Sequence, residues 1–215
     1  MSSNAADKSK KYFSTFPKRT YPKGQIIILA EEEPEAIYYI VDGKVRSYDL
    51  SYRGDEVVMN IFKPQSFFPM SWAINRTPNK YFYKTEEETT VHVIPAKVVV
   101  EFVQKNPEVM FDLLSRLYYG LDGLLGRMVH LMSGTARSRV LYELIIECRR
   151  FGVQTTNGYE LDVSEVDLAA RSGLSRETVS REIGKLKQQN FLALKGGKVH
   201  ITQFKKLEAL LGTEV

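Results

Sequence analysis

Residues 173–190 read GLSRETVSREIGKLKQQN. A glycine, then a serine two positions on, then regularly spaced apolar residues among charges describe a helix opening at a capped turn. Counting about 100° per residue from Arg176, Ser180 falls at about 40°, Glu177 at about 100° and Arg181 at about 140°. Val179, Ile183 and Leu186 gather between about 280° and 340°. One side of this helix is therefore apolar and docks, while the other presents Arg, Glu, Ser, Arg. Gly184, at about 80°, leaves that polar side without bulk one turn further on.

Immediately upstream, SEVDLAARSG (residues 164–173) describes a second short helix. Ser164 caps it, Asp167 occupies the third helical position of a capping box, and Gly173 ends it. Two short helices joined by a turn containing Gly form a helix-turn-helix. Downstream, FLALKGGKVHI (residues 191–201) gives two strand runs around Gly196–Gly197, a pairing suited to a type I′ hairpin. The C-terminal part thus reads as a winged helix-turn-helix.

Charge is concentrated in the same place. From Ser175 to Lys206 eight Lys/Arg face two Glu, a surplus of six against a net +4 for all 215 residues. Such a patch is the footprint of a polyanion partner, or else a solvated lysine-rich surface. On the outward side of the helix, Arg suits bidentate bonding to guanine and Glu suits cytosine N4, so Arg176, Glu177, Ser180 and Arg181 are the candidate base-reading residues. Glu177 and Arg181 also have the spacing of an i,i+4 surface pair, a use compatible with the first. Arg137, Arg139, Ser175, Thr178, Lys195 and Lys198 are candidate contacts to the phosphate backbone, which give affinity without sequence choice.

Further towards the N-terminus, Val140, Leu141, Leu144, Ile145 and Cys148 mark a helix ending near Phe151–Gly152. Before it, MSGTA (residues 132–136) breaks a longer pattern. Met110, Leu114, Leu117, Leu121, Leu124, Met128 and Leu131 alternate steps of four and three, the a/d seam of a helix that packs against a copy of itself. The rival reading lays this helix on its own domain's core. Gly120, Gly123 and Gly126 lie beside or away from the seam, serving either close approach of the first domain or easy deformation.

Residues 21–94 carry β-branched and aromatic runs, GQIIILA, AIYYIV, KVRSYDL, EVVMNIF and TTVHVI, separated by turn signals. They describe a small antiparallel roll. The fold class expected is α+β, with a β-roll over 1–107, a dimerisation helix over 108–133 and a winged helix-turn-helix over 134–215. No apolar run reaches the ~18 residues of a membrane span, and Met1–Lys11 is polar without a signal-peptide core. Order is expected after about the first dozen residues. The single Cys148 excludes a disulfide framework and an all-cysteine metal or iron–sulfur site, which fits a soluble, cytoplasmic protein without membrane partners. No catalytic, metal-ligand or phosphate-loop constellation is present, so an enzyme is not expected.

LSRETVSREIGKLKQQNFL (residues 174–192) resembles the recognition-helix signature of the cyclic-AMP receptor protein/fumarate–nitrate regulator family of bacterial transcription factors. The turn glycines of YPKG (Gly24), VDGKV (Gly43) and YRGDE (Gly54) resemble those of its β-roll, a jelly-roll-type, cyclic-nucleotide-binding-like domain. The resemblance covers nearly the whole chain. It implies a homodimer on double-stranded DNA at a palindromic operator with a TGA-like core, Arg176, Glu177 and Arg181 reading bases, and RNA polymerase as a further partner. An effector in the roll would act through the dimer helix. The sequence departs from the cyclic-nucleotide binders of the family, with Pro69–Met70 in place of a Gly-Glu pair and Asn79–Lys80 in place of an Arg-Ser or Arg-Thr pair. Control by cyclic AMP is not expected and no cofactor is assigned: the N-terminal cysteines of an iron–sulfur sensor are absent, and His92 and His130 read as ordinary residues. The candidate effector pocket is Phe67, Phe68, Trp72, Arg76, Lys80, Tyr81 and Tyr83, either a lining for an apolar effector or a well-filled roll. A rival function is a ligand-binding module whose helix-turn-helix contacts a protein partner.

Overall fold

The computed structural model describes residues 3–52, 54–156 and 158–212. The elements in chain order are α1 (Ser3–Phe13), β1 (Lys18–Tyr21), β2 (Ile26–Ile28), β3 (Ile37–Asp42), β4 (Val45–Leu50), β5 (Glu56–Phe62), β6 (Phe67–Phe68), α2 (Met70–Asn75), β7 (Phe82–Thr85), β8 (Thr89–Ile94), α3 (Ala96–Lys105) and α4 (Pro107–Ser133). They continue as α5 (Ala136–Phe151), β9 (Val153–Thr155), β10 (Gly158–Leu161), α6 (Glu165–Ser172), α7 (Arg176–Gln188), β11 (Leu192–Lys195), β12 (Lys198–Ile201) and α8 (Phe204–Gly212). The chain divides into two compact units, Met1–Tyr118 and Tyr119–Val215, the division falling within α4. The α+β architecture expected from the sequence is present. No helix of the described residues is long and apolar enough to cross a membrane.

In the first unit, two antiparallel four-stranded sheets, ordered β1-β8-β3-β6 and β2-β7-β4-β5, enclose Ile28, Tyr38, Ile40, Val45, Phe68, Tyr83 and Val91. The unbroken apolar run of β3 is explained by its two covered faces. Tyr38 and Ile40 point between the sheets, whereas Ile37 and Tyr39 join a second cluster with Phe13, Phe67, Phe102, Val103 and Val109 contributed by helices and β6. The second cluster contains a feature that sequence periodicity missed. The polar N-terminal segment forms α1, and Ala5, Ser9 and Phe13 are buried along it. The Phe13 ring packs edge-on to Phe67 and Phe102 at centroid distances of 5.2 and 4.8 Å. With its two large residues, Tyr12 and Phe13, adjacent at one end and only small and charged ones before them, α1 has too weak a stripe to stand out in the sequence.

The second unit folds around α5. Val140, Leu141, Leu144, Ile145 and Cys148 meet Leu168 of α6, Val179, Ile183 and Leu186 of α7, and Val199 and Ile201 of β12 in one buried core. The sheet runs β11-β12-β10-β9, so the wing hairpin is extended by a second hairpin, β9–β10, and α8 closes the core with Leu207. Neither β9–β10 nor α8 was expected from the sequence, although the Asn157–Gly158 dipeptide between VQT and YEL is a hairpin signal. Burial raises the Cys148 thiol to about 12, which leaves it an inert packing group.

α4 carries two faces. Val109 and Leu113 pack into the second cluster of the first unit, and further along the helix Gly123, Gly126, Arg127 and His130 lie against α5. The Tyr142 hydroxyl of α5 donates to the Gly123 carbonyl at 2.7 Å. A Cβ on Gly126 would fall 2.3 Å from that hydroxyl oxygen and 2.9 Å from Cζ. The glycine therefore serves close approach, by α5. Gly126→Ala should lower the melting temperature of this unit, since relief of the clash requires loss of the Tyr142 bond, at a net cost of about 1 kcal/mol. Gly184→Ala in α7, where no atom lies within 4 Å of the added Cβ, should stabilise it by about 0.5–1 kcal/mol. Thermal unfolding of the two variants, followed by circular dichroism, should give shifts of opposite sign.

Candidate nucleic-acid interface

The helix pair is set up locally before it packs. Ser164 Oγ accepts from the Asp167 N–H at 3.1 Å while the Asp167 carboxylate accepts from the Ser164 N–H at 3.3 Å, a complete capping box at the start of α6. Gly173 ends the helix in the left-handed region at φ 63°. Two residues later Ser175 Oγ accepts from the Thr178 N–H at 3.3 Å and starts α7. This turn fixes where α7 begins, and its apolar stripe fixes how it is rotated. Val179, Ile183 and Leu186 are 0, 2 and 0 % exposed.

With that stripe inward, Arg176, Glu177, Ser180 and Arg181 are all exposed and adjacent on the outer side. Among the described residues no ion pair joins Glu177 to Arg181; Arg181 makes a long 3.5 Å contact to Thr178 Oγ1 instead. The Glu177 carboxyl lies below the usual carboxylate range, held there by its own backbone N–H and then by the Ser175 hydroxyl. It is a charged acceptor at neutral pH. Gly184 adds no bulk beside this face.

The residues expected at phosphates are dispersed. Lys195 is exposed at the wing turn, where Gly196 (φ 57°) and Gly197 (φ 77°) supply the two positive φ angles that a type I′ turn requires. Lys198 pairs with Glu160 of β10, and the hydrogen bond between them, then their opposite charges, raise the lysine and lower the carboxyl from their ordinary values. Arg137 donates to Gln189 Oε1 at 2.7 Å, and Arg139 to the Leu131 carbonyl at 2.9 Å, closing the end of α4. Ser175 and Thr178 serve the cap of α7.

Two ion pairs were not foreseen, one half-buried and one buried. Arg127 of α4 grips Glu143 of α5 with two bonds, Nε to Oε1 at 2.5 Å and a terminal nitrogen to Oε2 at 3.0 Å. Arg171 of α6 pairs with Glu147 of α5, both side chains 6 % exposed. The partners lie 16 and 24 residues apart in the chain, so no helical spacing announces them.

The family assignment rests on the two halves of the chain separately. Residues 18–106 match the cyclic nucleotide-binding domain family, and residues 138–210 match the Crp-like helix-turn-helix domain. The chain belongs to the cyclic-AMP receptor protein/fumarate–nitrate regulator family. It is 26% identical over 197 residues to the cyclic AMP receptor protein of Thermus thermophilus, covering 92% of this chain and 89% of that one. It is 24% identical over 189 residues to the global nitrogen regulator of a Nostoc species, covering 85% and 83%. Among solved structures, a CooA mutant from Carboxydothermus hydrogenoformans superposes with TM-score 0.78 at 21% identity over 94% of this chain and 90% of that one. FixK2 from Bradyrhizobium japonicum does so with TM-score 0.75 at 23% identity over 91% and 96%. This member is a transcription regulator with a helix-turn-helix DNA-binding domain, and its relatives are regulators, not enzymes.

The residues expected at an effector do not converge. Phe67 and the half-buried Trp72 belong to the cluster beneath the helices. Phe68, Tyr81 and Tyr83 belong to the one between the sheets. There Tyr38, Phe68 and Tyr83 stack in series, each pair 5.2 Å between centroids and 14° from parallel, while Phe82 on the other side of β7 stacks on Tyr48. Arg76, in the left-handed region at φ 54°, and Lys80 are exposed. Asn79 is buried, its amide donating to the Leu29 and Tyr81 carbonyls at 2.9 Å each, and its oxygen accepting from the Tyr81 N–H.

Two substitutions separate local capping from buried charge in this family member. Ser175→Ala should cost about 1 kcal/mol in denaturant unfolding, the loss of one cap. Arg171→Leu, which strips the Glu147 carboxylate of a guanidinium in a buried position, should cost about 3–5 kcal/mol.

Proposed function

We propose that this regulator acts as a homodimer on a palindromic operator, paired along the α4 seam, with Arg176, Glu177, Ser180 and Arg181 reading bases in the major groove. One observation carries the reading. The four side chains stand exposed and uncommitted to one another on a helix whose opposite face is fully buried. Lys195 neutralises phosphate at the wing, and Lys198, Arg137 and Arg139 join it by exchanging their present partners for phosphate oxygens. A TGA-like core suits the Arg-Glu-Arg set. RNA polymerase is the partner that a regulator bound beside a promoter would meet.

Dimer formation is supported by what α4 leaves uncovered. Met110, Leu114, Leu117, Leu121, Leu124, Met128 and Leu131 are 37 to 65 % exposed, with Phe111, Tyr118, Tyr119 and Leu125 beside them. A stripe of this length exceeds the scattered apolar exposure of a monomer's surface. The residues of α4 that meet their own unit, Val109 and Leu113, then Gly126 and Arg127, lie on other positions of the helix, so the seam is free for a second copy.

Residues 18–106 match a cyclic nucleotide-binding family, yet the side chains here do not fit a cyclic nucleotide. Recognition of the phosphate calls for a two-pronged guanidinium, and recognition of the ribose for a carboxylate. Asn79 and Met70 stand at those places, Asn79 spends its amide on three backbone bonds, and the stacked Tyr38, Phe68 and Tyr83 rings fill the interior. The regulator's sensing roll is therefore assigned no cyclic nucleotide. Cyclic AMP at about 1 mM should move the melting temperature by less than about 1 °C; a rise of several degrees would show that the roll does hold it.

Selection of bound duplexes from a random pool, followed by titration of two variants, tests DNA reading. Arg181→Ala should lose about 1–3 kcal/mol and relax preference at one base position. Lys195→Ala should weaken cognate and scrambled duplexes alike and flatten the salt dependence by about one unit of slope. Equal losses for both variants on both duplexes would rule out base reading by α7, and an interaction insensitive to salt would favour a protein partner instead.

A further inference from the structure

The joint between α4 and α5 is built differently from the core beside it. The buried apolar cluster of the second unit is drawn from residues 140–207, and no residue of α4 belongs to it. Polar and aromatic contacts join α4 to α5. Arg127 and Glu143 make their two-pronged pair, with the Glu143 side chain 2 % exposed. Tyr142 sits in the notch at Gly126 and donates to the Gly123 carbonyl. His130, 6 % exposed, lies with its ring 4.7 Å from that of Tyr142, and Arg139 closes the end of α4 through the Leu131 carbonyl.

This difference bears on geometry. Apolar burial is non-directional, and an apolar helix contact tolerates rotation as long as area is conserved. A planar guanidinium facing a carboxylate with two parallel bonds accepts one relative orientation. Only Gly134 and Thr135 separate the two helices in sequence, and a Cβ on Gly134 would meet His130 O at 2.5 Å. A linker of that length permits many angles by itself; lateral bonds have to select one. From α5 the orientation passes to α6 through Glu147 and Arg171, and from α6 to α7 through the capped turn.

We propose that the Arg127–Glu143 pair sets the angle between the dimer helix and the recognition helix, and so determines which separation of half-sites the dimer accepts. Arg127 and Glu143 are positioning residues that touch no base. This inference rests on the dimer and operator reading above, and the experiment below distinguishes the failure of each.

The test uses the full-length protein and a set of duplexes carrying the selected half-site as an inverted repeat, with the spacer varied one base pair at a time across one helical turn. The wild type should favour one spacer over its neighbours by about tenfold, the scale of coupling between groups held at fixed geometry. Arg127→Met combined with Glu143→Leu replaces the pair by apolar volume, a change that buried ion pairs often tolerate without loss of stability. The double variant should keep its melting temperature and its preference within each half-site, while affinities across the spacers converge to within about threefold. A merely stabilising pair would leave the spacer optimum in place, and retention of that optimum in the folded double variant overturns the proposal. Should the double variant not fold, Arg127→Lys, which keeps the charge without the two-pronged fork, carries the same criterion. A wild type that prefers a half-site but no spacer also overturns it, whereas one with no duplex preference removes the operator reading on which it rests.

Discussion

The docking of α7 by Val179, Ile183 and Leu186 is the constraint from which the functional surface follows. Each of these side chains is almost wholly withdrawn from water, worth about 1.5–3 kcal/mol apiece in burial. Rotating the helix by a third of a turn would expose them and press Arg176 or Arg181 into an apolar core, at a cost of several kcal/mol for each unpaired charge. The arginine–glutamate face is therefore outward because the opposite face has nowhere else to go. The Ser175 cap adds the other coordinate, fixing the residue at which the helix starts and hence which side chains occupy its first turns.

The remainder of the second unit distributes its interactions by direction. Around α5, apolar residues face α6, α7 and the sheet, where shape complementarity suffices. Its carboxylates face arginines, Glu143 towards α4 and Glu147 towards α6, where orientation has to be held. One helix thus offers a greasy side that gives stability and an ionic side that gives angle. The burial of these pairs contributes little net stability by itself, because desolvation offsets most of the attraction. Their presence is better understood as geometric.

The β-roll shows the same economy in another form. Its interior is filled by the stacked Tyr38, Phe68 and Tyr83 rings, and the buried Asn79 is bonded to the backbone of Leu29 and Tyr81. The stacked pairs contribute about 0.5–1.5 kcal/mol each beyond their buried area.

What was legible in the sequence was whatever is encoded within one or two helical turns. The capping box of α6, the Ser175 cap, the amphipathic division of α7, the Gly196–Gly197 turn and the heptad steps of α4 all depend on residues at most a few positions apart, so spacing alone revealed them. α1, β9–β10 and α8 were missed because their stripes are short or carried by small residues, although the Asn157–Gly158 dipeptide was a usable signal for the middle one. The sequence by itself determined that a winged helix-turn-helix follows a β-roll and a long seam-bearing helix, and which face of the recognition helix is polar. Only the tertiary structure decided that Gly126 receives Tyr142, that Phe67 and Phe68 enter different cores, and that Arg127 and Arg171 find carboxylates on α5. Those contacts join residues far apart in the chain, and no local periodicity carries information about which distant side chain will fill a given space.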